Sequence, residues 1–210
     1  MPTKTYYLDK AKTQELTVKW GMFFRNVEIF YQKDSLGVVP SKYELEQGFH
    51  YQLPDGRTLI VQLLHGYTQE LELRLEGSIV PGSATHPQER IKQAWYMLLF
   101  VGGLNVLLGA WAATQSIVIL QQLGLGWGSL VEGLLYIGLG WWGYSRVSPL
   151  AFGIAIGLLA LDWILLIVNN VGTGNMGFGG MFLRFFFCLV AYRAMQGARQ
   201  LQNEAKLITS

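Results

Sequence analysis

The sequence predicts a membrane protein in two parts, an N-terminal cytoplasmic all-β sandwich or partly open barrel followed by a four-helix transmembrane bundle. Three observations lead there. Of 210 residues 51% are hydrophobic and only 14% charged, too few charges for an ordinary soluble chain of this size. Residues up to Gln93 hold 11 of the 16 Lys+Arg and 11 of the 14 Asp+Glu, so the two ends of the chain read as belonging to different solvents. Hydrophobic alternation with period two fills the first part and long uncharged runs fill the second. The division expected is a β domain over 1–86, a linker over 87–93, a bundle over 94–199 and a cytoplasmic tail over 200–210.

The β part follows from its alternation. Leu16, Val18 and Trp20 alternate with Thr17 and Lys19, and Val27, Ile29 and Tyr31 alternate with Glu28 and Phe30. Leu71, Leu73 and Leu75 oppose Glu70, Glu72, Arg74 and Glu76, which predicts a strand with one core face and one wet face. Between Phe49–Leu53 and Thr58–Leu64, Pro54 presets φ and Gly56 supplies the positive φ of a reversal, so this pair reads as a hairpin. About six to eight short strands result. Lys42–Glu46, rich in Lys and Glu, reads as a solvated face. The opening residues contain no apolar run of signal-peptide length, so the β domain is expected to stay where it is made.

An internal echo runs through this part. RNVEIFYQKDSLGVVPS (Arg25–Ser41) resembles QELELRLEGSIVPGS (Gln69–Ser83), each an alternating strand, a turn and a Val-Pro ending. Two copies suggest paired hairpins, since a solenoid needs more. The second copy, with the preceding DGRTLIVQL, resembles the β-sandwich repeat of proteins related to the Fas apoptosis inhibitory molecule; that resemblance implies a sandwich fold and no function. His50, His65 and His86 lack a partner at i+3 or i+4 on a helix and read as surface or strand-edge residues, with no metal motif among them.

Four uncharged or nearly uncharged runs, 94–113, 126–144, 149–169 and 177–195, approach the ~20 residues that cross a ~30 Å hydrocarbon layer at ~1.5 Å per residue. Open sheet edges cannot face lipid, so these runs read as helices packed in one bundle. Ile117–Leu123, with Gln121 and Gln122, reads as an extension of the first helix or an interfacial segment. Arg90 and Lys92 precede the first run, Arg146 separates the second and third, and Arg193, Arg199 and Lys206 follow the fourth, while the other two connections carry no charge. The positive-inside rule then puts both termini on the cytoplasmic side, or the stromal side of a thylakoid. Trp95, Trp127, Trp141, Trp142 and Tyr144 fit an interfacial aromatic belt. Gly109 with Ala113, and Gly153 with Gly157, are small-xxx-small pairs that let helix backbones approach, inside the bundle or between copies of the chain. The glycine-rich Gly172–Gly180 reads as a turn, because no strand precedes it as a dinucleotide loop requires.

One constellation carries chemistry. Glu132, Asp162 and Arg184 lie six or seven residues from the outer ends of their runs, which puts them about 9–11 Å deep at ~1.5 Å per residue, with Asn105 nearly level. Each helix thus contributes one polar side chain to a single layer. A charge facing lipid there costs ~2.5–3.5 kcal/mol on insertion scales, so Arg184 is expected to bridge the two carboxylates. The layer reads either as a clasp fixing helix register or as a proton or cation site, since two carboxylates against one guanidinium leave a negative charge unmatched. A bound ligand or a cation from a partner subunit would also balance it.

Function is bounded mainly by exclusion. A net charge of +2 without a basic face gives no reason to expect nucleic acid, and one cysteine, Cys188, excludes an internal disulfide. No nucleophile elbow, P-loop or His-Glu-x-x-His motif is present, so an enzyme is not expected, and a lipid-acting enzyme has no residue set behind it. No His follows His86, which leaves the apolar runs without the usual haem or chlorophyll ligand, and no cofactor is expected. The whole layout, with its YYLDKAKTQELTVKWG start, resembles cyanobacterial four-span membrane proteins with a soluble β domain; the resemblance implies a thylakoid or plasma-membrane location. The expected role is a non-enzymatic accessory subunit or assembly factor, in contact with membrane lipids and a larger membrane complex, its oligomeric state open. The alternative is a small proton or cation conductor using Glu132, Asp162 and Arg184.

Overall fold

A computed structural model of the protein describes residues 1–9, 11–65, 69–115, 126–173 and 178–209. The chain divides into two compact units, Met1–Glu89 and Arg90–Ser210. Expectations placed on 117–123 and on the middle of 172–180 fall on residues outside the described ones.

The first unit contains eight strands: β1 (Thr3–Tyr7), β2 (Glu15–Lys19), β3 (Val27–Tyr31), β4 (Asp34–Val39), β5 (Phe49–Gln52), β6 (Thr58–His65), β7 (Gln69–Leu75) and β8 (Ser78–Ile79). They form two antiparallel meanders, β1-β2-β3-β4 and β5-β6-β7-β8. Period-two alternation sets the register, so that Val18 pairs with Ile29 and Val61 with Leu73, and all four are fully buried. Both sheets contribute to one hydrophobic core, which makes the unit a two-layer sandwich and not an open barrel. Each Leu, Ile or Val buried there contributes about 1.5–3 kcal/mol.

The echoed segments are the last two strands of each sheet. Gln32-Lys33 and Glu76-Gly77 link them as two-residue turns with positive φ at both positions (48° and 76°, 48° and 83°). That is the type I′ hairpin turn, whose twist matches that of the strands it joins. The valines of the two Val-Pro endings, Val39 and Val80, are both in the core. At the β5–β6 reversal the Asp55 carboxylate accepts from the Arg57 backbone and side chain, closing the Pro54–Gly56 turn.

Lys42–Glu46 is not simply a solvated face. Lys42–Gln47 forms a helix, α1, in which Ser41 caps the N-terminus by accepting from the Glu44 N–H at 3.3 Å and Leu45 is fully buried. The wet face expected of β7 is also modified, since Glu72 is buried and ion-paired with Arg74 at 2.5 Å.

The second unit is helical, with α2 (Pro87–Gln115), α3 (Trp127–Arg146), α4 (Pro149–Thr173) and α5 (Phe178–Thr209). The four-span transmembrane bundle (94–113, 126–144, 149–169, 177–195) is not supported. Among the described residues one helix, Pro87–Thr114, is long and apolar enough to cross a membrane. In α3, five glycines, Glu132 and a Trp141-Trp142-Tyr144 end dilute the hydropathy. In α4 the described apolar stretch is Pro149–Leu165, which contains Asp162. Arg184, Arg193 and Arg199 interrupt α5. Residues 87–93, expected as a linker, are the first turns of α2: Pro87 suits the first helical position and Glu89 lies in the first turn, where the helix dipole favours an acid. Residues 200–209, expected as a tail, continue α5, as their Gln, Glu, Ala and Lys favour. Between α3 and α4, Val147 takes a left-handed conformation (φ 48°) and the Ser148 hydroxyl accepts from the Ala151 N–H at 3.4 Å, ending one helix and starting the next.

Candidate functional site in the helical unit

Asp162 on α4 and Arg184 on α5 form an ion pair, with Nε 2.5 Å from Oδ2. Both side chains are about 30% exposed, at 32% and 28%, so the pair is neither dry nor freely solvated. It ties two helices that pack along their length, and loss of either partner would leave a charge in a largely apolar setting.

Glu132 on α3 is held differently. Tyr136, one turn further along the same helix, donates its hydroxyl to Glu132 Oε1 at 2.8 Å. The Tyr136 ring is 1% exposed and packs in the core with Leu98, Phe152 and Leu159. The charges of Asp162 and Arg184 act on both Glu132 and the Tyr136 hydroxyl, so the three ionisable residues share one electrostatic environment. Asn105 on α2 makes no hydrogen bond among the described residues.

Asn105, Tyr136, Asp162 and Arg184 line one cavity of about 210 Å³, whose remaining wall is aliphatic and aromatic. Of the four residues read from the sequence as one polar layer, three face this cavity and Glu132 touches one of its walls through Tyr136. Tyr136 is the member that the sequence reading missed. Its signal is the i, i+4 spacing from Glu132, which sets two polar groups over one another on a helix.

Helix packing is tight, at positions that only partly match those expected. Gly109 lies against the start of α3, where a methyl group would come within 2.6 Å of Ser129 Oγ and 2.8 Å of the Leu130 nitrogen. Ala113 is half-buried. A closer crossing joins Gly102 to Gly133, where a methyl on either would lie 2.5–2.6 Å from the other's carbonyl oxygen. Gly153 would meet only the Met195 sulfur, at 3.7 Å, and Gly157 nothing within 4 Å, so this pair does not make a close crossing among the described residues. The residues that signal the real crossing recur at seven: Gly102 and Gly109 on α2, Gly126, Gly133 and Gly140 at the start of and along α3. Seven residues are nearly two turns, which keeps them on one face.

Elsewhere, His50 and His65 are exposed, and His65 Nε2 lies 3.3 Å from Glu46 Oε1. Cys188 is partly buried and packs against the helical core. No protein-family model, curated protein or solved structure matches the chain.

Proposed function

We propose that the protein is a non-enzymatic membrane accessory subunit or assembly factor, held in a bacterial inner or thylakoid membrane through Pro87–Thr114, with the β unit docking a partner protein at the cytoplasmic or stromal surface. The observation that carries this reading is the state of that helix. Only 22% of its most apolar window is buried, whereas a core helix of a water-soluble domain would be mostly covered. Tyr96, Phe100, Leu107 and Trp111 on it are all more than half exposed. An exterior of that kind in water would be an aggregation surface; against lipid it is the low-energy arrangement.

The docking half of the proposal is supported by the loop between β2 and β3. Met22 and Phe23 are 79% and 74% exposed, and Phe23, Phe24 and Asn26 hold positive φ values of 50–58°. Bulky residues in that region are strained, and strain tends to persist where a side chain is being presented. Trp20 stacks on Phe24, with ring centroids 5.9 Å apart, which anchors the loop and leaves its tip outward. The Asp162–Arg184 pair fits a clasp in this reading, since it neutralises both groups across two helices.

Two measurements test the proposal together. The full-length protein should remain in the pellet when membranes are washed in alkaline carbonate, and a photo-crosslinking residue at position 23 should trap one partner protein in stoichiometric yield, an adduct that Met22→Ser weakens. Release into the carbonate supernatant would remove the membrane half. A single monodisperse species in mild detergent with no crosslinked partner would remove the accessory role.

A further inference from the structure

Basic side chains gather at one end of the helical unit. The Trp95 ring lies 5.9 Å from that of Trp141 and 6.3 Å from that of Tyr144, so the first turns of α2 stand beside the last turns of α3. Ile91, Val147, Ala198 and Leu201 belong to one hydrophobic cluster, and Gln202 Nε2 donates to the Val147 carbonyl oxygen at 3.1 Å. The α3–α4 corner and the later part of α5 thus meet the start of α2. Lys92, Arg146 and Arg199 share this end, and none of the three is ion-paired among the described residues. Glu89 and Glu204 are too few to balance Arg90, Lys92, Arg146, Arg193, Arg199 and Lys206. At the opposite ends of the same helices, residues 110–115, 127–131, 163–173 and 178–183 include no ionisable side chain.

Next to the basic end lies a layer of uncovered rings. Tyr96, Trp141, Trp142 and Tyr144 are all more than a third exposed. Indole and phenol rings with one apolar and one polar edge suit the headgroup level of a bilayer, and cations just outside them suit its phosphates. An acidic protein surface would match the cations and leave the bare rings unexplained.

We propose that this end of the helical unit is a binding site for anionic phospholipids. Lys92, Arg146 and Arg199 take the lipid phosphates, the arginines through their planar forks, and the Trp95, Trp141 and Tyr144 cluster lies against the glycerol and the first acyl carbons. The site rests on the membrane placement of α2 proposed above and adds the class of lipid.

The test is native mass spectrometry of the full-length protein, released from mild detergent with equal amounts of phosphatidylglycerol and phosphatidylcholine of the same acyl chains. Retained phosphatidylglycerol should exceed phosphatidylcholine about tenfold or more, and the preference should fall as salt is raised. Joint replacement Lys92→Gln, Arg146→Gln and Arg199→Gln should bring the two lipids to near parity. Lys12→Gln, Arg25→Gln and Lys33→Gln together, which remove the same charge from the β unit, should leave the preference intact. Equal retention of the two lipids by the native chain, an unchanged preference in the first variant, or displacement of the lipid by inorganic phosphate would overturn the proposal. Alkaline carbonate separates the two readings: a protein that stays in the pellet without lipid preference loses this site and keeps its membrane placement, whereas release into the supernatant removes both. If the triple variant does not fold, the native lipid comparison and Arg146→Gln alone, at the exposed end of α3, decide the matter.

Discussion

Tyr6 shows how burial at one position becomes a measurable property. Its ring is 3% exposed, in the core of the β unit, and burial together with the nearby Glu89 carboxylate pushes its hydroxyl up to about 12. An unfolded tyrosine ionises near ~10, so the native state holds this proton more tightly. The contribution is fully present below pH ~10 and is lost as pH rises from there toward about 12, because the unfolded chain ionises first. A spectrophotometric titration should therefore show phenolate appearing late, near the onset of alkaline unfolding, and Tyr6→Phe should shrink that late step by one tyrosine; a Tyr6 titrating with the exposed tyrosines would refute the burial argument. At the acid end the sign reverses. The Thr13 hydroxyl, with the Thr13 and Gln14 N–H groups, holds the Asp9 carboxyl below its usual range, so its contribution is present at neutral pH and fades as pH falls through that lowered value.

Between helices, the decisive contacts are those that leave no room. Gly133→Ala would put a methyl 2.5 Å from the Gly102 carbonyl oxygen, and because that atom is backbone the helices themselves must move apart. The expected cost is about 1–3 kcal/mol or more, read as a lower midpoint for loss of helical structure in detergent, while Gly157→Ala, with open space beside it, should be neutral or slightly stabilising. The Asp162–Arg184 pair calls for a double-mutant cycle with Asp162→Asn and Arg184→Met. Partial exposure places it between surface pairs at ~0.2–1 kcal/mol and the ~3–5 kcal/mol of breaking a buried pair, so a coupling of about 1–2 kcal/mol is expected, and a coupling near zero would show that it does not clasp the helices. Sequence legibility divides along the same physical lines. The alternation of Leu16-Val18 and Val27-Ile29-Tyr31 was readable because one face of each strand is buried, and the two I′ turns showed as an echo because Gln32-Lys33 and Glu76-Gly77 interrupt similar strands. Helix α1 was hidden since six residues are too few to show a period of 3.6, although Ser41-x-x-Glu44 marked its start. The number of spans is not legible from lack of charge alone, because α3 spends much of its length on glycine, tryptophan and tyrosine. At the site, depth arithmetic put Asp162 and Arg184 level, and they do meet. Tyr136 is hidden because its hydroxyl is uncharged at neutral pH, and the Gly102–Gly133 crossing because its glycines recur at seven and not at four.

The whole chain is two units with two hydrophobic cores, one joining both β sheets and one centred on Tyr136, Phe152, Ala155 and Leu159. Cooperativity in folding comes from sharing a core, so a single unfolding transition is not the expectation for this chain. Leu59 is fully buried in the first core and Phe152 in the second. Truncation of such a leucine costs about 2–5 kcal/mol and of such a phenylalanine about 3–5 kcal/mol. For a unit of the β part's size each kcal/mol lowers Tm by about 4–8 °C, so Leu59→Ala should lower the β transition by at least about 8 °C. Calorimetry of the full chain in mild detergent should then resolve two endotherms: Leu59→Ala moves one, Phe152→Ala moves the other, and most of the far-ultraviolet signal of helix is lost with the second. If either substitution displaced both endotherms together, the two cores would be behaving as one, and a β unit able to stay folded while the helical unit changes its surroundings, which the docking role requires, would have to be given up.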